Sequence, residues 1–204
     1  MNGRRNIFIG RWPAGLMLAV AGWSAAVPSD AIEVQPTAEQ IEATIERGKE
    51  AARQRASPDQ LHTWFGATED LAPRGFIMTK LGSLLVMANH LSLRDQSPTE
   101  QDISQVLANE QLLINVVLYG DRVNFAADSY MLLEQAGRTV KPATVRFDAR
   151  GERTARWPQQ PAYRAKVIAQ FPYADLDPRA KTTLTVFPSS GGQVSFDLDF
   201  ARIE

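Results

Sequence analysis

Hydrophobic and polar residues change their spacing once along this chain, near residue 111. Before that point apolar positions recur every three or four residues, the period of a helix; after it they alternate, the period of a strand. In the first part, Thr37-Ala38-Glu39-Gln40 sets a hydroxyl at a helix start and a glutamine three residues later, so that each satisfies the other's backbone N–H. The helix it predicts runs to about Arg55, with Ile41, Ile45 and Ala52 along one side and Glu46, Lys49, Glu50 and Arg53 in solvent. Gly48 falls on the apolar side and weakens the helix by about 1 kcal/mol relative to alanine.

Ser57-Pro58-Asp59-Gln60 repeats the signal and predicts a short helix toward Trp64-Phe65, stopped by Gly66. Ile77, Leu81, Leu84, Leu85, Ala88 and Leu91 lie at helical spacing, which predicts a buried helix from about residue 80, after a short strand at 75–79. Ser97-Pro98-Thr99-Glu100 is a third start signal, for a helix through Ile103, Val106 and Leu107 that ends near Glu110.

The second part reads as strands. Residues 112–119 form a β-branched run that Gly120-Asp121 stops, and 130–135 and 138–145 flank the turn Ala136-Gly137. The clearest alternation is Tyr163, Ala165, Val167, Ala169, Phe171 and Tyr173. Strands at 182–187 and 193–200 follow, joined by Pro188-Ser189-Ser190-Gly191-Gly192, with Val194, Phe196, Leu198 and Phe200 facing one way. Helices first and strands second predict an α+β fold. A helical segment at 32–110 packs on an antiparallel β-sandwich at 111–204, immunoglobulin-like in outline, and 32–204 forms one compact unit.

The start of the chain departs from both patterns. Arg4 and Arg5 precede an apolar run from Trp12 to Val27 that ends in small residues, which is the organisation of a signal peptide over 1–31, with cleavage after Ala26 or Ala31. The run is shorter than the roughly 20 residues that span a bilayer, so no integral membrane domain is expected once the leader is removed. Retention as an N-terminal anchor is the alternative. Arg4-Arg5-Asn6-Ile7-Phe8 loosely fits a twin-arginine pattern, though Gly3 stands where a serine or threonine belongs, which favours ordinary export. The destination is the periplasm or cell envelope. There is no cysteine, which excludes disulfides, thiol chemistry and a lipoprotein anchor, so packing alone holds the fold. With 204 residues, 44% of them hydrophobic, that is feasible. The net charge of −1 gives no reason to expect nucleic-acid binding.

The sequence bears on four candidate chemistries. Asp175-Leu176-Asp177-Pro178 offers two carboxylates, and a metal site would need Asp197 and Asp199 to join them, but Asp-Pro between two strands reads first as a turn. His62 and His90 stand 28 residues apart without a second ligand at metal spacing, and no Gly-x-Ser-x-Gly elbow accompanies them. No glycine-rich phosphate loop is present. The fourth is Arg146, Arg150, Arg153, Arg156 and Trp157 on the long connection before the next strand: either a recognition patch, or a solvated loop with Trp157 folded into the core. These residues are the candidate partner surface, and no catalytic residue, metal or cofactor is assigned.

The sequence therefore predicts an exported, non-enzymatic interaction or structural protein whose partner is another protein or an envelope component. A carrier of a small apolar ligand, held between the helices and the sheet near Leu84, Leu85, Val86 and Met87, is the first alternative. A hydrolase with an unfamiliar triad built on His90 or His62 is the second.

Overall fold

A computed structural model describes residues 31–203 of the protein. The leader expected at 1–31 therefore lies, apart from Ala31, outside the described residues. In chain order the elements are α1 (Ala38–Arg53), a 3-10 turn (Pro58–Leu61), β1 (Thr63–Gly66), β2 (Arg74–Met78), α2 (Lys80–Ser92) and α3 (Glu100–Leu107). Then come β3 (Gln111–Gly120), β4 (Tyr130–Gln135), β5 (Arg138–Val140), β6 (Thr144–Phe147), β7 (Glu152–Arg153), β8 (Tyr163–Pro172), β9 (Lys181–Phe187) and β10 (Val194–Asp199).

The centre is the pair β3 and β8. They run antiparallel over their whole length, Gln111 opposite Pro172 through to Gly120 opposite Tyr163. Strand alternation then aims Leu112, Ile114, Val116 and Leu118 to the same side as Ala165, Val167, Ala169 and Phe171, and none of the eight is more than 2% exposed. β2 and β1 continue the sheet on one side of this pair, while β6 and β7 both line the far edge of β8. A second sheet, in the order β10-β9-β4-β5, lays Met131, Leu133, Leu184, Val186 and Leu198 against the same core. The fold is thus α+β with an antiparallel sandwich, as the change of period predicts. At one margin the sheets meet through Phe65 and Phe196, whose rings lie 5.1 Å apart edge to face.

The helices form their own tight contact. Thr44, Gly48 and Ala52 make a buried stripe of small residues on α1, and α2 lies directly against it. A Cβ on Gly48 would come 2.6 Å from the carbonyl oxygen of Leu85 and 2.7 Å from the Cβ of Ala88. Gly48 therefore sets how close the helices can approach, which outweighs its poor helix propensity. The start of α2 is tied to the sandwich by Lys80, only 6% exposed, whose ammonium lies 3.1 Å from Glu110 and 5.5 Å from the centre of the Tyr173 ring.

Three local expectations change. Trp64 and Phe65 lie in β1 rather than in a helix, opposite Phe76 and Gly75, because pairing with β2 outcompetes the local signal at Ser57, which makes only a single 3-10 turn. The segment 32–110 thus supplies two strands as well as helices. The third helix is capped by Thr99 rather than Ser97: Thr99 Oγ1 accepts from Asp102 N, and Asp102 Oδ2 accepts from Thr99 N in return. The strand expected at 138–145 divides into β5 and β6, in different sheets, with Pro142 at the crossover, where it has no N–H to give a ladder. The turn before it is as expected, with Ala136 and Gly137 both at positive φ.

Replacing Gly48 with alanine tests the helix contact. Propensity alone would add about 1 kcal/mol of stability, whereas forcing a methyl against a backbone carbonyl costs about 1–3 kcal/mol. The variant is expected to have a lower urea midpoint; a raised midpoint would show that the helices do not approach this closely.

Candidate functional site

The arginine-rich connection is shaped by its attachment to β8. Leaving β6, the chain folds outward at Asp148, whose N–H donates to Lys166 O (2.9 Å) while its carboxylate accepts from Lys166 N (2.8 Å). At Gly151 the N–H donates to Val123 O (2.6 Å), and a Cβ would lie 2.9 Å from Arg164 O, so a side chain has no room. β7 then pairs with β8, and Glu152 accepts two hydrogen bonds from Arg164, at 2.9 and 2.7 Å. The loop beyond is gathered by Thr154, 7% exposed, whose hydroxyl donates to Pro161 O (2.6 Å) and accepts from Arg156 N (3.2 Å). Trp157–Pro158 and Gln160–Pro161 are cis peptides.

On this frame the five candidate residues are held at the surface. Arg146 lies opposite Ile168 and so projects from the outer face of the sheet; Arg153 lies opposite Tyr163, on the face that carries the core. Arg150 and Arg156 are exposed in the two bends. Trp157 is 43% exposed rather than folded into the core, and the guanidinium of Arg153 sits 4.1 Å from the centre of its ring. Such a stack at an exposed site contributes about 0.5–1 kcal/mol and holds both groups in place. The structure thus brings Arg153 and Trp157 into contact and sets Arg146, Arg150 and Arg156 along the same edge.

Charge is left over here. Residues 146–166 carry six basic side chains and two acidic ones. The two acids are engaged, Asp148 with the Lys166 amide and Glu152 with Arg164. Among the described residues no carboxylate forms an ion pair with Arg146, Arg150, Arg153 or Arg156. Sequence reading missed Phe147, which pairs with Val167 and is 37% exposed at the sheet margin. The only sequence signal for it is its place two residues after Val145, which requires the strand to be extended past 145.

The other candidates act locally. Asp177 shapes its corner: its carboxylate accepts from Arg179 N (2.9 Å), and its backbone N–H and C=O are both bonded by the amide of buried Gln135. Arg138 donates to Asp175 O, Asp197 accepts from Thr183, and Asp199 accepts from Ala201 N. Leu176 packs back on the core. His90, Ser83 and Asp102 do line one groove between α2 and α3, of about 450 Å³, with Met78, Val86, Met87 and Leu91. No hydrogen bond joins the three. Ser83 Oγ donates to Thr79 O, and Asp102 Oδ2 accepts from both Thr99 N and Thr99 Oγ1.

His62 is a packing residue. Its ring stacks on Phe76 at 4.1 Å and 9°, and its buried Nδ1 has no partner. Burial pushes the imidazole below its ordinary value of 6.5, nearby His90 adds to this and Asp59 opposes it. The folded protein therefore resists a proton that the unfolded chain accepts, so this contribution is complete above the ordinary histidine range and is lost as pH falls through and below about 6.5. Urea midpoints between pH 7 and pH 5 should fall less steeply for His62→Phe than for the parent; equal slopes would show that His62 is not held neutral.

No family model matches the chain, and no curated protein matches its sequence. Among solved structures, the archaellum periplasmic stator protein FlaG from Sulfolobus acidocaldarius aligns with 45% of this chain and 88% of its own, at 14% identity and a TM-score of 0.27. The complex of FlaF and FlaG from the same organism aligns with 44% of this chain and 77% of that one, at the same identity and TM-score.

Proposed function

We propose that this is an exported, non-enzymatic interaction or structural protein of the periplasm or cell envelope, and that 146–157 is its partner surface. The observation that carries the reading is the set of four arginines without carboxylate partners among the described residues, beside a half-exposed tryptophan. The contact of Arg153 with Trp157 adds little to the fold, and the other three guanidinium groups have no carboxylate partner among the described residues, whereas arginine and tryptophan are the side chains that dominate interface energies. The rigid edge of β8 keeps them in position without a partner. The composition of the leader supports export, and no helix among the described residues is long and apolar enough to cross a membrane.

Between the two cleavage points, burial favours Ala26. Ala31 and Ile32 are 6% and 2% exposed, and Ile32 N donates to Pro178 O. Cutting after Ala31 would create a charged ammonium at that buried nitrogen, at a desolvation cost that a cut after Ala26 avoids.

A second reading, a carrier of a small apolar ligand, moves from the helix–sheet seam, where Leu84 is fully buried in the core, to the groove between α2 and α3, where Met78, Val86, Met87 and Leu91 form an adaptable lining. It predicts a retained small molecule in native mass spectrometry.

A C-terminally tagged copy recovered from the envelope fraction tests the leading reading. Its intact mass should correspond to an N-terminus at Val27, and cross-linking should capture a partner. Replacing Arg150, Arg153 and Trp157 together with alanine should reduce that capture at least tenfold. Undiminished capture would remove the loop from the partner surface, and a mass corresponding to Ile32 would overturn the cleavage argument.

A further inference from the structure

β6 is the last strand on its side of the sheet. It pairs with β8 alone, and among the described residues no strand pairs with its other side. A strand in that position has a row of backbone N–H and C=O groups facing outward, which an extended chain can use as a template. Its side chains alternate in the matching way. Arg146 shares the outer face with Ile168, while Val145 and Phe147 share the core face with Ala169 and Val167, and Phe147 remains 37% exposed. The edge therefore offers backbone groups, a cation and an apolar shelf within four residues, and Arg150 and Arg153 continue the cationic line beyond it.

We propose that the β6 edge accepts an extended, carboxylate-bearing segment of a partner protein as an added strand. Main-chain hydrogen bonds to 144–147 hold the segment, its carboxylates meet Arg146, Arg150 and Arg153, and an apolar residue covers Phe147. The inference rests on the reading of 146–157 as a partner surface and adds its mode and chemistry. Three physical points carry it. The guanidinium of Arg153 is held over the Trp157 ring at the surface and pairs with no carboxylate among the described residues, and a guanidinium binds a carboxylate through paired hydrogen bonds. The charge also sets selectivity, because two copies pairing edge to edge would bring arginines together, whereas an acidic strand neutralises them. Finally, Arg146 and Arg153 project from opposite faces of the sheet. A strand lying along the edge meets both; a planar anionic lipid surface meets only one.

The test titrates the purified protein with two labelled peptides, one alternating Glu and Val and the other Lys and Val, and follows fluorescence anisotropy and backbone amide exchange. The Glu–Val peptide is expected to bind, with amide exchange slowed at 144–147. Binding should weaken at least tenfold in the exposed-site double variant Arg146→Ala, Arg153→Ala. Unchanged exchange at 144–147, equal binding of both peptides, or association with phosphatidylglycerol vesicles but not with the Glu–Val peptide would each overturn the proposal. Loss of cellular partner capture on replacing Arg150, Arg153 and Trp157, combined with no peptide binding, would leave the partner surface standing and remove strand addition. Failure of both would remove both.

Discussion

The structure depends on one ladder, the ten-residue antiparallel pairing of β3 with β8. Because strand residues alternate, fixing that register assigns every side chain on both strands to a face at once, and a slip of one residue would turn the whole core row to solvent. Ile114, Val116, Val167 and Ala169 are fully buried in this arrangement. Without a cysteine in the chain, nothing covalent reinforces it. β2 and β1 extend the ladder on one side, the second sheet closes over its inner face, and β6 and β7 lie along its far edge. The proposed partner surface thus lies beside the central ladder, on the far edge of β8.

That placement explains how a charged, proline-rich connection can be ordered without a large core of its own. Backbone bonds from Asp148 to β8 and from Gly151 to the neighbouring loop at Val123 fasten it, Thr154 N closes it on itself at Ala162 O, and Glu152 with Arg164 adds a two-bond ion pair. Exposed ion pairs of this kind contribute little stability. Here its main consequence is to occupy the segment's glutamate, leaving the other arginines free of it. Order and unpaired charge together are what the proposed partner surface offers, since a surface already ordered loses little entropy on binding.

Much of the fold was legible because its signals are local. The Thr37–Gln40 box, the alternation from Tyr163 to Phe171 and the turn at Ala136-Gly137 need no knowledge of distant residues, and each forms as expected, while Tyr173, expected to continue the alternation, opens a 3-10 turn. What was not legible depends on partners remote in sequence. Trp64 and Phe65 become a strand because β2 is beside them, and Gly48 is needed because α2 crosses there; neither partner can be read from the residue itself. The candidate site shows the same division. Composition picked out the four arginines and Trp157. The stack of Arg153 on Trp157, the engagement of both acids and the open edge at Phe147 follow from pairing with β8, which the spacing of arginines does not encode.

The central claim is that a rigid β3–β8 ladder presents an open cationic edge, and native-state hydrogen exchange resolved by residue tests it most directly. The ladder amides of Ile114, Val116, Val167 and Ala169 should exchange only through global unfolding. The outward-facing amides of β6 should exchange orders of magnitude faster in the free protein. Outward β6 amides as slow as those of β3 would mean that the edge is already covered and would contradict the account.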